Sequence, residues 1–154
     1  MSDFKSFMLS GLKNDNTEIL TFKGVDTFKD ENGVPIPLKF KQISRAAVEE
    51  IRKNYTTKTL AIGKDGKYII SNGNIIKDVE VDYAGFSDAL IVETMTYPDL
   101  KDKELLEFYG VYAGTELLHK LFKGKDYDYV DRCSAQAAGL IDLDETKLVK
   151  ELKN

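Results

Sequence analysis

Apolar and polar residues alternate in the segment "IPLKFKQI", which starts at Ile36, and this period of two is typical of a half-buried β-strand. The run from Thr17 to Phe28, "TEILTFKGVDTF", is rich in β-branched and aromatic residues and predicts a second strand, with a bend at Gly24. The turn-forming stretch "KDENGVP" separates the two runs. We therefore expect an N-terminal β-hairpin whose tip is Asn32-Gly33.

A helix and a second β-rich region follow this hairpin in the sequence. Ser44 is a favourable N-cap for the helical pattern "RAAVEEIRKNY". The later run "KTLAIGKDGKYIISNGNIIKDVEV" contains the dipeptides Asp65-Gly66 and Asn72-Gly73, which are tight-turn signals between β-rich segments. They predict a small three-stranded meander from Leu60 to Val81.

The pattern becomes helical after this region. The run "YAGFSDALIVETMTY" is apolar almost all round between Ala89 and Val92, and it predicts a central buried helix that ends before Pro98. The pattern "KDKELLEFYG" predicts a short helix that ends at Gly110. In the next segment, "ELLHKLF", we expect a helix that is capped by Thr115 and carries one apolar stripe.

Two further helices are predicted near the end of the chain. The first, "KDYDYVDRCSAQAAG", ends at Gly139, and the second, "DLDETKLVKELKN", begins with acids and ends with lysines, as the helix dipole favours. Strands thus come first and helices last, which predicts an α+β fold: an N-terminal β-hairpin and a small β-meander followed by a predominantly helical C-terminal half. We expect residues 1–154 to form a single domain, with a loose arm (1–16), a β-rich part with one helix (17–81) and a helical part (82–154).

Composition narrows the classes of function. The chain has 154 residues, 22 of them basic and 26 acidic, and its net charge of -4 argues against nucleic-acid binding, which needs a basic face. No apolar run approaches the roughly 20 residues of a membrane span, and the start lacks the pattern of a secretory signal. The single cysteine, Cys133, rules out an internal disulfide framework and fits a reducing cytosol.

Residues that commonly carry catalysis are few. His119 is the only histidine, and it follows an apolar pair in a helical pattern, so we interpret it as a surface or boundary residue. Cys133 lies among small residues and is interpreted as a packing residue. A zinc site would need several such ligands at fixed spacing. We therefore expect a chain that is not an enzyme, with no catalytic residue, no metal and no cofactor.

The acidic and glycine-rich segments also have simple structural interpretations. Asp99 and Asp102 precede a helical pattern and are expected in a turn and at an N-cap, whereas Asp126 and Asp128 would face another helix N-terminus. The segment "GKDGK" lacks the form of a phosphate-binding loop and is predicted to be a hairpin turn.

The helical half resembles a known family. The segment "ALIVETMTYPDLKDKELLEFYGV" is similar to one shared by tail assembly chaperones of contractile-tailed phages and prophages. There, a hydrophobic helix ends in valine–tyrosine–proline–asparagine/aspartate–leucine, and lysine–aspartate–x–glutamate–leucine and tyrosine–glycine–valine follow. The matching positions here are Tyr97, Pro98, Asp99, Leu100, Lys101, Asp102, Glu104, Leu105, Tyr109, Gly110 and Val111.

Two other segments extend the resemblance. "TELLHKLFKGKDYDYV" is similar to the family's continuation, and "SRAAVEEIRKNYT" is similar to its short upstream helix. The resemblance thus covers Ile43–Tyr55 and Ala89–Gly139. The resemblance does not cover the first forty residues. We interpret the predicted meander as a local elaboration of the family's pattern.

The resemblance implies a non-enzymatic chaperone in the cytoplasm of the bacterial host. Such a protein binds the tape measure protein and keeps it soluble until the tail tube protein polymerises around the tape measure and displaces the chaperone. It is not expected in the mature virion. The implied partner is the tape measure protein, with the tail tube protein and a second copy of the chain as further candidates, and with no nucleic acid or membrane.

On this interpretation, the apolar positions of two short helices would contact the partner. They are Leu105, Phe108, Tyr109, Leu117, Leu118, Leu121 and Phe122. Core packing is the competing explanation for each of these residues, since buried positions are mostly apolar.

Two other classes of function stay open at this point. The first is a structural virion component, such as a tail-tube or tail-completion protein, because extended hairpins can build rings by edge pairing. The second is an enzyme that uses a carboxylate pair with a metal, which would require two or more acids to converge in a cleft.

Overall fold

The computed structural model describes residues 4–5, 7–8, 18–142 and 148–149, and it confirms the α+β class. Strands β1 (Ile19–Phe22) and β2 (Leu38–Lys41) form the predicted N-terminal hairpin, with Phe22 opposite Leu38. Most of the predicted loose arm, residues 1–16, lies outside the described residues. The division of the chain at residues 16 and 81 stays a prediction.

The predicted first strand is too long. β1 ends at Phe22, the chain turns at residues 26–27, and an added Cβ on Gly24 would lie 2.0 Å from the carbonyl oxygen of Ile36. This close approach of two backbones requires glycine at position 24. The hairpin tip is confirmed: Gly33 has a φ of 77°, and its amide donates to the carbonyl of Asp30 at 3.0 Å.

Two short strands complete this sheet within the described part of the chain. They are β7 (Met95–Tyr97) and β8 (Leu148–Val149), and the strand order is β7-β2-β1-β8. The prediction of a helix through Tyr97 is wrong in its last turn, because residues 95–97 pair with β2 instead. The predicted C-terminal helix is wrong at residues 148–149, which pair with β1, and most of its remaining residues lie outside the described ones.

Five helices lie within residues 18–142. They are α1 (Arg45–Asn54), α2 (Tyr83–Thr94), α3 (Lys103–Tyr109), α4 (Gly114–Leu121) and α5 (Lys125–Ala137). The N-caps predicted at Ser44 and Asp102 are confirmed, since their side chains accept hydrogen bonds from the amides of Ala47 and Leu105. Gly110 ends α3 in the left-handed conformation, as predicted.

The predicted cap of α4 is wrong. The helix begins at Gly114, so Thr115 lies inside its first turn, and Ala113 occupies the cap position. An added Cβ on Gly114 would lie 3.0 Å from Val92 of α2 and 3.1 Å from the Leu100 carbonyl oxygen. The helix therefore starts at the residue that allows this close packing.

The main core lies between the buried face of the β1–β2 hairpin and helices α2, α4 and α5. Its largest fully buried apolar side chains are Phe22, Phe40, Ile91, Leu100, Leu117, Leu118, Phe122 and Val130. A smaller cluster beneath α1 contains Val48, Phe86, Leu90 and Ala138. The two buried hydroxyls of Thr94 and Ser134 lie 2.9 Å apart and join α2 to α5 by a hydrogen bond.

Residues 56–81 form a separate β-ribbon, which we call the β-arm. Strand β3 (Thr56–Leu60) pairs directly with β6 (Lys77–Val81), and the short strands β4 (Ile70–Ser71) and β5 (Asn74–Ile75) pair with each other. Both predicted tight turns are confirmed, since Gly66 and Gly73 have φ values of 79° and 80°. The three-stranded meander is wrong, because the first and last strands pair with each other along the base of the arm.

Candidate protein-binding groove

An apolar groove lies where the loop of the N-terminal hairpin meets the corner between β7 and α3. Its cavity has a volume of about 150 Å³. All its lining side chains are apolar or aromatic: Val25, Phe28, Ile36, Leu38, Tyr97, Pro98, Leu105, Tyr109, Leu121 and Phe122. We call this feature the apolar groove; concave apolar sites of this kind are typical of ligand and partner binding.

Local structure explains how α3 contributes to one wall. Asp102 fixes the start of the helix, and Leu105 and Tyr109 follow on the same face because they are four residues apart. Gly110 then ends the helix in a conformation with positive φ, and the chain turns towards α4. The floor comes from Leu121 and Phe122 at the end of α4, both of which belong to the core.

Aromatic side chains extend the apolar surface beyond the groove. Tyr97 is 52% exposed at the mouth, and Phe108 is 80% exposed on the outer side of α3. The Phe108 ring packs edge-on against Tyr109, with a centroid distance of 5.1 Å. Phe108 also lines a second depression, together with Tyr97, Pro98 and Leu105 and with three acids, Asp99, Asp102 and Glu104. The groove therefore has an aromatic rim with negative charge beside it.

The structure places the seven predicted contact residues in three different surroundings. Four of them, Leu105, Tyr109, Leu121 and Phe122, line the apolar groove, and Phe108 lies in the neighbouring depression. Leu117 and Leu118 are fully buried in the core and offer no surface to a partner in this conformation.

Sequence reasoning missed the wall that the N-terminal hairpin supplies. Val25, Phe28 and Ile36 come from a loop about seventy residues before α3, and no local pattern joins the two. Tyr97 and Pro98 did carry a signal, because they belong to the segment that resembles the phage family, but they were not selected as contacts.

A polar cluster joins three helices on another part of the surface. His119 Nε2 lies 2.7 Å from Asp88 Oδ2, and the Tyr127 hydroxyl donates to Asp88 Oδ1 at 2.5 Å. The imidazole also stacks on the Tyr127 ring, with centroids 5.3 Å apart. Burial and the Asp88 carboxylate raise the pKa of the Tyr127 hydroxyl, which therefore remains a donor. His119 is exposed, as predicted, and we interpret the cluster as a structural clamp between α2, α4 and α5.

The predicted roles of the other polar residues can be located directly. Asp99 Oδ1 accepts from the Lys101 amide at 3.0 Å in a turn, and Asp126 Oδ2 accepts from the Thr27 hydroxyl at 2.7 Å in the first turn of α5. Cys133 is buried in the main core. Burial raises the pKa of Asp131, and the neighbouring Asp128 charge adds to this effect. Within the described ranges, no group of three or more His, Cys, Asp or Glu side chains could hold a metal ion.

The family model of the phage XkdN-like tail assembly chaperone proteins matches residues 4–153. The chain belongs to this family. The match includes residues 4–40 and the β-arm, so it is wider than the two segments that carry the resemblance. Membership of this family implies protein partners in tail assembly.

A solved structure supports the fold. The chain is similar to the crystal structure of the protein yqbn, with a TM-score of 0.60 and 23% sequence identity over 82% of this chain and 88% of that chain. At this identity the likeness shows the fold alone. No curated protein matches the chain in sequence. Among the described residues, no helix has both the length and the apolar character needed to cross a membrane.

Proposed function

We propose that this tail assembly chaperone binds the tape measure protein through the apolar groove and keeps it soluble until the tail tube polymerises around it. The observation that carries the proposal is a groove with entirely apolar and aromatic lining in a member of this family. The tail tube protein is a second proposed partner, since it would displace the chaperone. The proposed location is the cytoplasm of the bacterial host, and the chaperone is absent from the mature virion.

The groove suits an amphipathic helix better than an extended strand. Helices dock through apolar side chains spaced three or four residues apart, and each anchor fills a pocket along a groove. A cavity of about 150 Å³ takes one large apolar side chain, and the exposed ring of Phe108 offers a second contact outside it. The acids Asp99, Asp102 and Glu104 would keep the occupied complex soluble and would attract basic residues beside the helix's apolar stripe.

Within the seven predicted contact residues, we propose that Leu105, Phe108 and Tyr109 carry the binding, with Leu121 and Phe122 as the floor. Leu117 and Leu118 would contact a partner only if the core opened, because both are fully buried. An acidic substitution at Leu118 or Phe122 would therefore unfold the chain and would not test binding.

Co-expression with the tape measure protein from the same phage tests the proposal. The test variant is Phe108→Asp, and the matched control is Tyr83→Asp, which changes an exposed aromatic residue on α2 that does not line the groove. We expect a soluble complex for the wild type and for the control, detected by affinity pull-down and light scattering. Phe108→Asp should retain its thermal unfolding profile and lose the complex.

Two results would contradict the proposal. If the tape measure protein stays insoluble with the wild-type chain, the chaperone does not act on it. If Phe108→Asp and Tyr83→Asp weaken the complex equally, the partner binds elsewhere.

The β-arm favours a structural role as the second candidate. Its residues project several exposed apolar side chains, and open ribbons of this kind can join neighbouring subunits by edge pairing. The N-terminal hairpin is a weaker basis for this alternative than the β-arm, because β7 and β8 cover part of both of its edges. Mass spectrometry of purified tails distinguishes the two roles, since a structural component stays in stoichiometric amounts and a chaperone does not.

A further inference from the structure

The amino-terminal segment carries an apolar stripe that is exposed to solvent in this structure. Phe4, Phe7 and Met8 have helical backbone, and their side chains are 75%, 79% and 68% exposed. Positions i, i+3 and i+4 lie on one face of a helix. Three large apolar side chains on one short segment form the pattern that docks into a groove rather than one that stays in water.

The apolar groove has the size and lining that this stripe requires. Its cavity of about 150 Å³ is comparable to an engineered apolar cavity that accommodates a benzene ring. The cavity therefore has room for one phenylalanine side chain of the segment, and the other two apolar side chains would then lie over the exposed rings of Tyr97 and Phe108 at the rim. The central residue of the stripe, Phe7, is the natural anchor.

Chain length allows the contact to form within one molecule. The carbonyl of Glu18 accepts from the Gln42 amide at 2.8 Å, so the chain is anchored at the start of β1. Glu18 is ten residues beyond Met8, so an extended chain between them spans at most about 36 Å. Val25 on the groove wall is seven residues beyond Glu18 and therefore lies at most about 25 Å away from it.

Electrostatic attraction and a high effective concentration both favour docking of the segment into the groove of its own chain. Lys5 lies between the apolar residues of the segment, and the acids Asp99, Asp102 and Glu104 lie beside the groove. A short tether gives an effective concentration in the millimolar range, so a contact made by one or two side chains forms in the same chain although it would be weak between separate chains.

We infer that the stripe of Phe4, Phe7 and Met8 can leave the exposed position it has in this structure and dock into the apolar groove of its own chain, with Phe7 in the cavity, and that a partner must then displace it in order to bind. This inference rests on the proposed function, because it assigns a regulator to the same groove. Occupation by its own segment would cover the apolar surface while no partner is present.

A spin label tests the contact without any partner. We would attach the label at Ser6→Cys, since the native Cys133 is buried, and measure the paramagnetic broadening of methyl signals. The expected result is strong broadening for Ile36 and Leu105 that does not change on dilution and is lost with Phe7→Ser. A label at Asn72→Cys, at the tip of the β-arm, is the control and should leave these methyl signals sharp.

Each other outcome overturns the inference in a distinct way. Broadening that weakens on dilution would show that a second copy supplies the segment. Absence of broadening in a folded, labelled chain would show that the segment does not reach the groove, and the proposed function would stand unaffected.

A binding measurement then separates the two proposals. If the segment competes, Phe7→Ser should bind the tape measure protein several-fold more tightly than the wild type, whereas Lys5→Gln should differ less. Methyl broadening together with a failure to bind the tape measure protein would retain the intramolecular contact and overturn the proposed function alone.

Discussion

The N-terminal hairpin and the β-arm are two antiparallel ribbons of similar length with opposite surroundings. In the hairpin, Phe22, Leu38 and Phe40 are buried against the helices, so one face belongs to the core. In the β-arm, β6 has its residues exposed except for the half-buried Val81, and Ile70 near the tip is 65% exposed. A glycine with positive φ lies in the closing turn of each ribbon, Gly33 in the hairpin and Gly73 in the β-arm. Local turn residues are therefore sufficient for an antiparallel ribbon. Whether the ribbon is part of the core depends on packing against neighbouring helices.

The β-arm has two chemically different faces. Residues that are paired across the ribbon share a face, so Lys58, Val79 and Lys77 lie on one side and Glu80 and Asp78 on the other. A ribbon of two strands is marginally stable alone, and here its base is attached by the Asp82 amide, which donates to the Tyr55 carbonyl at 2.8 Å. We expect the arm to unfold together with the core and to add little to the free energy of unfolding.

The largest expected difference comes from truncating one apolar residue in each ribbon. Phe40→Ala removes a fully buried ring and should lower the free energy of unfolding by about 3–5 kcal/mol. Ile70→Ala, in the β-arm, should change it by less than about 0.5 kcal/mol because the side chain is exposed. Urea denaturation measures both. Equal losses would show that the arm belongs to the core.

A second pair of substitutions compares the close backbone approaches. Gly24→Ala places a Cβ 2.0 Å from the Ile36 carbonyl oxygen and should cost about 1–3 kcal/mol, since backbone must move. In the β-arm, the nearest neighbour of a Cβ added by Gly63→Ala is the flexible Asp65 side chain, at 3.1 Å, and the Ile69 side chain and the Lys67 carbonyl oxygen lie at an ordinary contact distance of 3.7 Å, so this variant should cost less. Thermal unfolding ranks the two variants, and the reverse order would contradict this account of the close approach at Gly24.

Shortening the β-arm should have a smaller effect. Thr56 and Val81 lie opposite each other, so an Asn-Gly turn can replace residues 57–80. We expect the free energy of unfolding to change by less than about 1 kcal/mol, because little apolar burial is lost and the shorter connection offsets part of that loss. Calorimetry on the shortened and full chains measures the change. A loss of cooperative unfolding would contradict the expectation.

The smallest expected effect concerns the ion pairs that join the hairpin to α2. Burial acts to raise the pKa of Glu93, but Lys101 and Lys41 outweigh it and lower the pKa below its ordinary value. A lowered pKa stabilises the fold at neutral pH, and this contribution is lost as the pH falls through the acidic range. Glu93→Gln should therefore cost about 0.5 kcal/mol or less at pH 7, and the cost should decrease at pH 3. A pH series of urea denaturation curves measures this; an undiminished difference at pH 3 would exclude the ionic explanation.

Local signals account for what could be predicted from the sequence. Ser44, Asp102 and Gly110 act on the helix termini next to them, and Gly33, Gly66 and Gly73 act within their own turns, so each was predicted correctly. The strands β7 and β8 were missed because segments of two or three residues become strands only when a neighbour supplies the hydrogen-bond partners.

The groove and the polar clamp required distant contacts. The hairpin wall and α3 come together only in the folded chain, and Asp88 and His119 are 31 residues apart. The apolar stripes of α3 and α4 do not indicate which of their apolar residues face solvent. Leu117 and Leu118 of α4 are therefore in the core, whereas Phe108 of α3 is exposed.

The strand β8 has a practical consequence for anyone who produces this protein. Residues 148–149 cover the outer edge of β1, which would otherwise present unsatisfied amides and carbonyls to other molecules. A chain shortened at residue 142 would expose that edge and should form intermolecular sheets more readily. Affinity tags and fluorescent labels belong instead at the Asn72-Gly73 turn, where the ribbon ends in solvent and no buried edge is disturbed.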